Sequence, residues 1–156
     1  MYVTNHCRNV KLDLRLFRRI LRSFMHEVVD RPRFELDIHV VEAAQITSLN
    51  EEYVRHKGIT DVVTFDYGSP DDQRVHGEVF ICLGEAVRQA KKFRVAWREE
   101  LVRYAMHGIL HLCGFDDQKT ADRREMKKAE DGAVDYLRKQ YYFRKLSGHT
   151  PSVDDV

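Results

Sequence analysis

The chain has few cysteines, and their spacing shows no pairing. Its 156 residues include three cysteines, Cys7, Cys82 and Cys113, scattered along the sequence. Disulfide-stapled secreted domains carry an even set of cysteines at short, regular intervals. The sequence therefore argues against a disulfide framework and predicts a protein of a reducing compartment.

Long apolar runs and an excess of one charge are also absent. No apolar stretch approaches the about 20 residues of a membrane span, and the N-terminus lacks the uninterrupted apolar segment of a signal peptide. With 26 basic and 25 acidic residues, the net charge is +1, which neither requires a nucleic-acid partner nor excludes a local basic patch. We therefore expect a cytoplasmic protein that does not contact membranes.

No repeat, low-complexity tract or linker divides the sequence. A chain of 156 residues is long enough for one domain with a real core, because chains of this size bury about two-thirds of their unfolded surface. After residue 146 the sequence carries Gly148, Pro151 and several acids, a composition typical of frayed termini. We expect a single domain over residues 1–146 and a flexible C-terminal tail over residues 147–156.

The hydrophobic pattern predicts an α+β fold. Residues favourable to strands concentrate at 1–7, 34–41, 60–66 and 75–82. Helical spacing of apolar residues predicts five helices: one that begins at Asn9 or Asp13 and ends before Pro32, and four over residues 42–56, 83–93, 99–112 and 121–142, with Thr120 as the last N-cap. With strands early and helices late, the expected architecture is a sheet of about four strands covered by about five helices.

Two histidines at the end of the fourth predicted helix carry the strongest chemical signal. His107 and His111 stand four residues apart, so both imidazoles point the same way about one turn apart. Gly114 follows where a helix commonly ends in a left-handed residue, and Asp117 comes three residues later. We expect this turn to bring the Asp117 carboxylate back to the two imidazoles.

The motif His-x3-His-x2-Gly-x2-Asp offers two nitrogens and one carboxylate oxygen as metal ligands. Three protein ligands leave a fourth tetrahedral position for water, as catalytic zinc sites do. We therefore expect His107, His111 and Asp117 to hold Zn²⁺ or another divalent transition metal such as nickel, iron or manganese. The alternative is a helix with two ordinary histidines, one packed and one solvated.

The first predicted helix has a basic face. Arg15, Arg18, Arg19 and Arg22 are spaced three and four residues apart, so they share one side of the helix. Such a row can contact phosphates, although rows of this kind are more often simply solvated.

These motifs resemble the YbeY family of bacterial metal-dependent endoribonucleases. Residues 107–117 are similar to its metal signature, and residues 49–53 (Leu-Asn-x-x-Tyr), 60–65 (Thr-Asp-Val-Val-Thr-Phe) and 77–81 (Gly-Glu-Val-Phe-Ile) resemble its upstream blocks in order and spacing. The resemblance covers about residues 35–138 and implies a zincin-like metal helix. It also implies cleavage of single-stranded ribosomal RNA in small-subunit rRNA 3′-end maturation and ribosome quality control, with the ribosome or ribosomal proteins as partners.

The sequence departs from the family pattern at two positions. Asp117 stands where the family usually has a histidine ligand, but zinc also accepts a carboxylate oxygen at about 2.0 to 2.2 Å. Val54 replaces an arginine that the family places after the aromatic residue of its Leu-Asn-x-x-Tyr block. Candidates for a cation that neutralises phosphate charge are then Arg55, His56 and the arginine row of the first helix, in that order.

Asp116 and the start of the third predicted strand are further candidates. Asp116 would either orient a ligand or a water at the site or only cap its turn. Thr60 and Asp61 would either line the cleft or serve local hydrogen bonds.

Two other functions are compatible with the metal motif. Metzincin peptidases share the spacing, but a glutamate general base follows their first histidine, and here that residue is Gly108. Loss of such a base typically lowers the rate by roughly 10²–10⁴-fold, which makes a zinc metallopeptidase the weaker alternative. A non-enzymatic ribosome-associated factor with a structural metal is another alternative, and it predicts that His111→Ala unfolds the domain.

Overall fold

A computed structural model of the chain describes residues 1–54, 60–152 and 156. In these ranges it has the predicted α+β fold, with four strands and five α-helices. In chain order they are β1 Tyr2–Asn5, α1 Leu14–Ser23, β2 Phe34–Val41, α2 Ala43–Leu49, β3 Val62–Asp66, β4 Val75–Cys82, α3 Leu83–Phe93, α4 Trp97–Leu112 and α5 Thr120–Arg138. Two π-helical turns, Phe24–Val28 and Asn50–Val54, extend α1 and α2, and a 3-10 turn, Phe143–Leu146, follows α5.

The four strands form one mixed sheet in the order β1-β2-β4-β3. Strands β1, β2 and β4 are parallel, whereas β3 pairs with β4 antiparallel and forms the far edge. The N-terminal strand β1 is the other edge. Strand β4 therefore lies inside the sheet, directly beneath the helix that carries the two histidines.

The main core lies on one face of this sheet. Side chains of alternate strand positions, such as Ile38 and Val79, pack there against Phe17 of α1 and Leu101 and Ile109 of α4. A small second cluster lies on the opposite face, where Val41, Ile46, Val63 and Cys82 pack together under α2. The fold is thus a sheet with a thick helical layer on one side and a short helix on the other.

Two glycines lie where helix α4 and the sheet approach each other, one on α4 and one on β4. A Cβ atom on Gly108 of α4 would lie 2.4 Å from Val79 Cγ1, and one on Gly77 of β4 would lie 2.4 Å from Phe65 O and 3.0 Å from Leu112 Cδ1. Real Cβ atoms do not make contacts of 2.4 Å. The two glycines therefore set the height of α4, and with it the positions of His107 and His111.

Several predicted boundaries differ from the structure by a few residues. Helix α1 does begin after Asp13, whose side chain accepts a hydrogen bond from Leu16 N–H at 2.9 Å. Helix α4 begins at Trp97 rather than residue 99, because the Trp97 side chain is buried and extends the apolar face. Thr120 is the first residue of α5 and Lys119 occupies the N-cap, so the predicted cap is wrong by one position.

The predicted helix over residues 42–56 also differs from the structure. Its regular part ends at Leu49, and the chain continues as the π-helical turn to Val54, while His56 lies outside the described residues. At the C-terminus, α5 ends at Arg138 instead of residue 142 because the Phe143–Leu146 turn takes Phe143 and Leu146 into the core.

The segment after residue 146 contacts the domain. Arg98 Nε donates to Ser147 O at 2.9 Å and Arg98 Nη2 donates to His149 O at 3.1 Å. A Cβ on Gly84 would lie 2.5 Å from Val156 O, so this residue packs on the start of α3. The division into a domain over residues 1–146 and a flexible tail stays a prediction.

Within the described ranges, no helix has both the length and the apolar character needed to cross a bilayer.

Candidate metal centre

Three side chains converge where α4 ends. His107 Nε2 and His111 Nε2 lie 3.0 Å apart, and Asp117 Oδ2 lies 3.7 Å from the first nitrogen and 3.5 Å from the second. In the described part of the chain, no other group of at least three His, Cys, Asp or Glu residues has its ligand atoms within 4.8 Å of one another. The structure therefore brings together the three residues that the motif singled out.

Hydrogen bonds to the other ring nitrogens orient both imidazoles. His107 Nδ1 lies 2.6 Å from Glu130 Oε1 and His111 Nδ1 lies 3.1 Å from Phe115 O. Since a carboxylate and a carbonyl only accept, both Nδ1 atoms carry the proton, and in the neutral rings both Nε2 atoms present lone pairs. Two lone pairs 3.0 Å apart repel each other, so this arrangement requires a cation or an extra proton between them.

The donor set fits a divalent transition metal. Two ligands bound tetrahedrally at zinc's usual bond lengths lie about 3.4 Å apart. The three separations between the ligand atoms, 3.0, 3.5 and 3.7 Å, surround this value. Small side-chain rotations would therefore suffice to place all three atoms around one ion.

A glycine-capped turn returns the chain to the two histidines. Gly114 has a φ of 97°, a left-handed conformation that other residues adopt only with strain. Its N–H donates to His111 O at 2.9 Å, and Phe115 N–H donates to Leu110 O at 3.0 Å, which is the Schellman pattern. These two bonds satisfy carbonyl groups at the helix end, and the turn directs the chain towards Asp117.

Asp116 has a local partner in this turn. Its Oδ1 accepts from Asp117 N–H at 2.7 Å and from Gln118 N–H at 3.2 Å. These bonds hold the backbone on both sides of the Asp117 side chain. The observed contacts are those of a turn cap, and a direct role of Asp116 towards a ligand or water stays a prediction.

Glu130 of α5 contacts His107, although it lies outside the sequence motif. Its side chain is buried, with 8% of the residue exposed, and Arg103 Nη1 lies 3.7 Å from Oε2. A signal was available, because Glu130 interrupts the otherwise apolar face of α5 made by Met126, Ala133 and Leu137. A buried acid on a core-facing stripe needs a specific partner, and here that partner is His107.

The environment of His107 favours its protonated form when no metal is bound. Burial lowers the pKa of His107, but the hydrogen bond and charge of Glu130, with the Asp61 and Asp117 carboxylates, outweigh burial. The net effect raises the pKa of His107 above its ordinary value. The same negative surroundings favour a metal cation at this position.

A cavity of about 420 Å³ opens beside His107 and Asp117. Its lining includes the buried acid Glu130, two partly buried acids and three bases: Asp61, Glu100, Arg103, Arg123 and Lys127. Burial raises the pKa of Glu100, which the charge of Arg103 partly offsets. This size is within the range of small-molecule and nucleotide sites.

Of the predicted cleft residues Thr60 and Asp61, only Asp61 lines the cavity, and both make local hydrogen bonds. Asp61 Oδ1 accepts from Val62 N–H at 2.9 Å and from the Thr60 hydroxyl at 3.3 Å, which are local bonds.

Of the predicted phosphate-neutralising cations, the structure describes only the arginine row of α1. Arg55 and His56 lie outside the described residues. The arginine row is exposed on α1, and none of its four members is among the lining residues of the cavity. Arg123, which the sequence analysis did not single out, is one of them.

The position after the first histidine points away from the metal centre. A Cβ on Gly108 would meet Val79, Val62 and Thr64 of the sheet. A glutamate base at this position would therefore be directed into the core, which disfavours the metzincin-like alternative.

Comparisons with known proteins agree with the motif resemblance. The family model described as Endoribonuclease YbeY matches residues 2–138. A protein named Endoribonuclease YbeY from Chlorobium luteolum is 39% identical over 129 residues, which cover 81% of this chain and 90% of that protein.

Two further relatives carry the same name and align over shorter stretches. The one from Flavobacterium psychrophilum is 37% identical over 86 residues, 55% of this chain and 60% of that protein. The one from Bacteroides thetaiotaomicron is 40% identical over 90 residues, 58% of this chain and 64% of that protein. Both alignments span less than two thirds of the relative's length.

A solved structure has the same fold. The solution structure of TM1509 from Thermotoga maritima superposes with a TM-score of 0.64 at 21% identity and covers 89% of each chain. The family match extends over most of the chain and is independent of this superposition. By that match, the chain belongs to the Endoribonuclease YbeY family.

Proposed function

We propose that this chain is a metal-dependent endoribonuclease that cleaves single-stranded regions of ribosomal RNA, and that His107, His111 and Asp117 hold its metal. The observation that carries the proposal is the convergence of three lone-pair donors, with Nε2 atoms 3.0 Å apart, in a member of this family. We further propose small-subunit rRNA 3′-end maturation and ribosome quality control as its context, with the ribosome or ribosomal proteins as partners.

The residues around the three ligands hold them ready for an ion. Glu130 fixes the ring of His107, the Phe115 carbonyl fixes that of His111, and Asp116 fixes the turn that carries Asp117. A divalent zinc-like ion, when bound in such a site, polarises a phosphoryl oxygen and lowers the pKa of a bound water. The protein's contribution is to keep the donors together, with the cavity beside them open for RNA.

Arg123 is the described residue best placed to neutralise phosphate charge. Its Nη1 donates to Asp117 O at 3.2 Å and to Gln118 O at 2.7 Å, and its Nη2 donates to Thr120 Oγ1 at 3.2 Å. All three acceptors are neutral. Because a guanidinium has five N–H donors, two remain for a further acceptor.

The other cations of the cavity already have acidic partners. Arg103 Nη1 lies 2.6 Å from Asp131 Oδ1, and Lys127 Nζ lies 3.2 Å from Asp131 Oδ2. No carboxylate of the described ranges forms an ion pair with Arg123, so its charge is available to a phosphate. Arg55 and His56 stay candidates for the same task.

The test is cleavage of a structured RNA that carries single-stranded loops. We expect cleavage in the loops, loss of activity after chelation, and recovery on adding back Zn²⁺ or another divalent transition metal. His111→Ala should remain folded by circular dichroism but lose metal binding and cleavage. Chelator-sensitive cleavage of a peptide library in place of RNA would support the peptidase alternative, and unfolding of the variant would support a structural metal.

A further inference from the structure

A second charged feature lies outside the candidate metal centre, where α1 runs beside the segment that follows α5. Asp13 N–H donates to Leu146 O at 2.8 Å near the start of α1, and Ser23 Oγ lies 2.8 Å from Tyr141 Oη near its end. Between them, the Arg19 guanidinium lies 5.7 Å from the centre of the Tyr141 ring. These contacts place the arginine row of α1 next to the 3-10 turn Phe143–Leu146.

The two neighbouring segments make one basic surface. We define the basic surface as the exposed cations of α1 and of the 3-10 turn: Arg15, Arg18, Arg19, Arg22, Arg144 and Lys145. The sequence alone indicates only the α1 row, because the contribution of the 3-10 turn depends on packing between residues more than 100 positions apart.

The charges of this surface are not neutralised within the described chain. None of its members forms an ion pair with a described carboxylate, whereas Arg74, Arg88, Arg103 and Arg138 each do. Neither element contains an acid, and the acids that flank α1 have other partners. Asp13 caps α1, and Glu27 accepts from Tyr136 Oη at 2.9 Å.

Aromatic rings support several of these cations. The Arg22 guanidinium lies 5.5 Å from the Phe34 ring centre, and Arg144 and Lys145 lie 5.8 and 5.5 Å from that of Tyr142. A guanidinium stacked on a ring is restricted in position but keeps its N–H edge for an acceptor. Four of the six cations, Arg19, Arg22, Arg144 and Lys145, are therefore held against a ring instead of moving freely.

We propose that the basic surface binds the phosphate backbone of RNA, independently of base sequence and apart from the metal centre. The inference rests on the proposed function in that RNA is taken as the polyanion. None of the six side chains lines the cavity beside His107, so the surface would hold a different part of the same transcript. Phosphate contacts of this kind provide affinity and orientation rather than sequence choice.

The helix is poorly suited to the other common polyanion, an anionic membrane surface. Amphipathic helices bind bilayers by inserting their apolar face. In α1 that face, with Phe17, Ile20 and Leu21, is fully buried in the core and is not available for insertion.

The test is equilibrium binding of a fluorescently labelled RNA of about 30 nucleotides to the full chain in the presence of chelator, so that no cleavage occurs. The variant is Arg15→Gln/Arg18→Gln, which removes two exposed charges without a described intramolecular partner. The matched control is Lys91→Gln/Lys92→Gln, which removes two exposed charges at the end of α3. Binding is measured over a range of salt concentrations.

We expect the arginine variant to bind about 3- to 10-fold more weakly at low salt. The slope of log K against log salt should fall by about 1.4, since each contact with single-stranded RNA contributes about 0.7. The lysine variant should bind as the wild type does. Cleavage of a short RNA that cannot reach both sites should be unchanged by Arg15→Gln/Arg18→Gln.

Equal binding by the arginine variant and the wild type, or absence of RNA binding by the wild type, would overturn the inference. Binding to vesicles of anionic phospholipid is measured for the same proteins. If Arg15→Gln/Arg18→Gln lost vesicle binding but kept RNA binding, the inference would be overturned in favour of a membrane. Failure of this inference can be distinguished from failure of the proposed function. Arginine-dependent binding without cleavage would contradict only the enzyme, and cleavage without arginine-dependent binding would contradict only this surface.

Discussion

At the residue scale, the candidate metal centre depends on charged side chains that hold the proposed ligand residues in position. Glu130 reaches His107 from α5, and Arg123 reaches the backbone of Asp117 from the first turn of the same helix. Neither residue belongs to the His-x3-His-x2-Gly-x2-Asp motif. Each can therefore be changed while the three proposed ligands stay in place.

Glu130→Gln is predicted to weaken metal binding by about 10- to 100-fold, because a neutral amide oxygen holds and polarises the His107 ring less well than a carboxylate. Competition with a chromophoric chelator measures the affinity. Asp135→Asn, on an exposed part of the same helix, is the matched control and should bind metal as the wild type does. Wild-type affinity in Glu130→Gln would contradict the assigned role.

Arg123→Ala is predicted to lower kcat for RNA cleavage by about 10²-fold with little change in metal affinity, since a positioned donor to the developing phosphate charge is removed. Arg124→Ala removes the adjacent exposed charge and should leave kcat unchanged. Arg123→Lys should restore part of the rate. A fall in metal affinity that accounts for the whole loss would instead mean that Arg123 only supports the turn of Asp117.

At the scale of elements, the close approach of α4 to β3 and β4 sets the position of both histidines. The approach is possible because Gly108 presents only a hydrogen atom to Val79 and its neighbours. Helix propensity alone would favour alanine over glycine here by about 1 kcal/mol. Packing and propensity therefore act in opposite directions at this position.

Gly108→Ala is predicted to destabilise the fold by about 1–3 kcal/mol, because the added methyl group forces α4 away from the sheet. Urea unfolding followed by circular dichroism measures the change. Gly132→Ala, inside α5 with no atom within 4 Å of the added methyl, is the matched control and should be neutral or stabilising. A stabilised Gly108→Ala protein would show that the sheet accommodates the methyl group.

At the scale of the whole molecule, features that depend on neighbouring residues were predictable from the sequence, whereas features that depend on distant contacts were not. The α4 helix, its glycine stop and the return of Asp117 depend on residues within one short stretch, so spacing alone was enough to anticipate them. Glu130 is 23 positions from His107, and its contact depends on how α5 packs against α4. The strand order β1-β2-β4-β3 likewise depends on pairings between distant segments, which periodicity does not encode.

The segment after residue 146 offers a prediction for the molecule as a whole. A chain ending at residue 146 loses both carbonyl acceptors of Arg98 and the packing of Val156. We expect it to melt about 3–6 °C lower, equivalent to about 1–2 kcal/mol in a chain of this size. A chain ending at residue 149 keeps the two acceptors and separates their contribution. An unchanged melting temperature would instead support the flexible tail that composition predicts.

The basic surface also makes the distribution of charge over the molecule uneven. The chain as a whole has a net charge of +1, so concentrating six cations on one side leaves the remainder net acidic. This separation of charge contributes a dipole moment, and the field of an approaching polyanion exerts a torque on it before any contact forms. The protein would turn its α1 side towards the nucleic acid during diffusion, so that first encounters begin in one preferred orientation and become less oriented as salt screens the field.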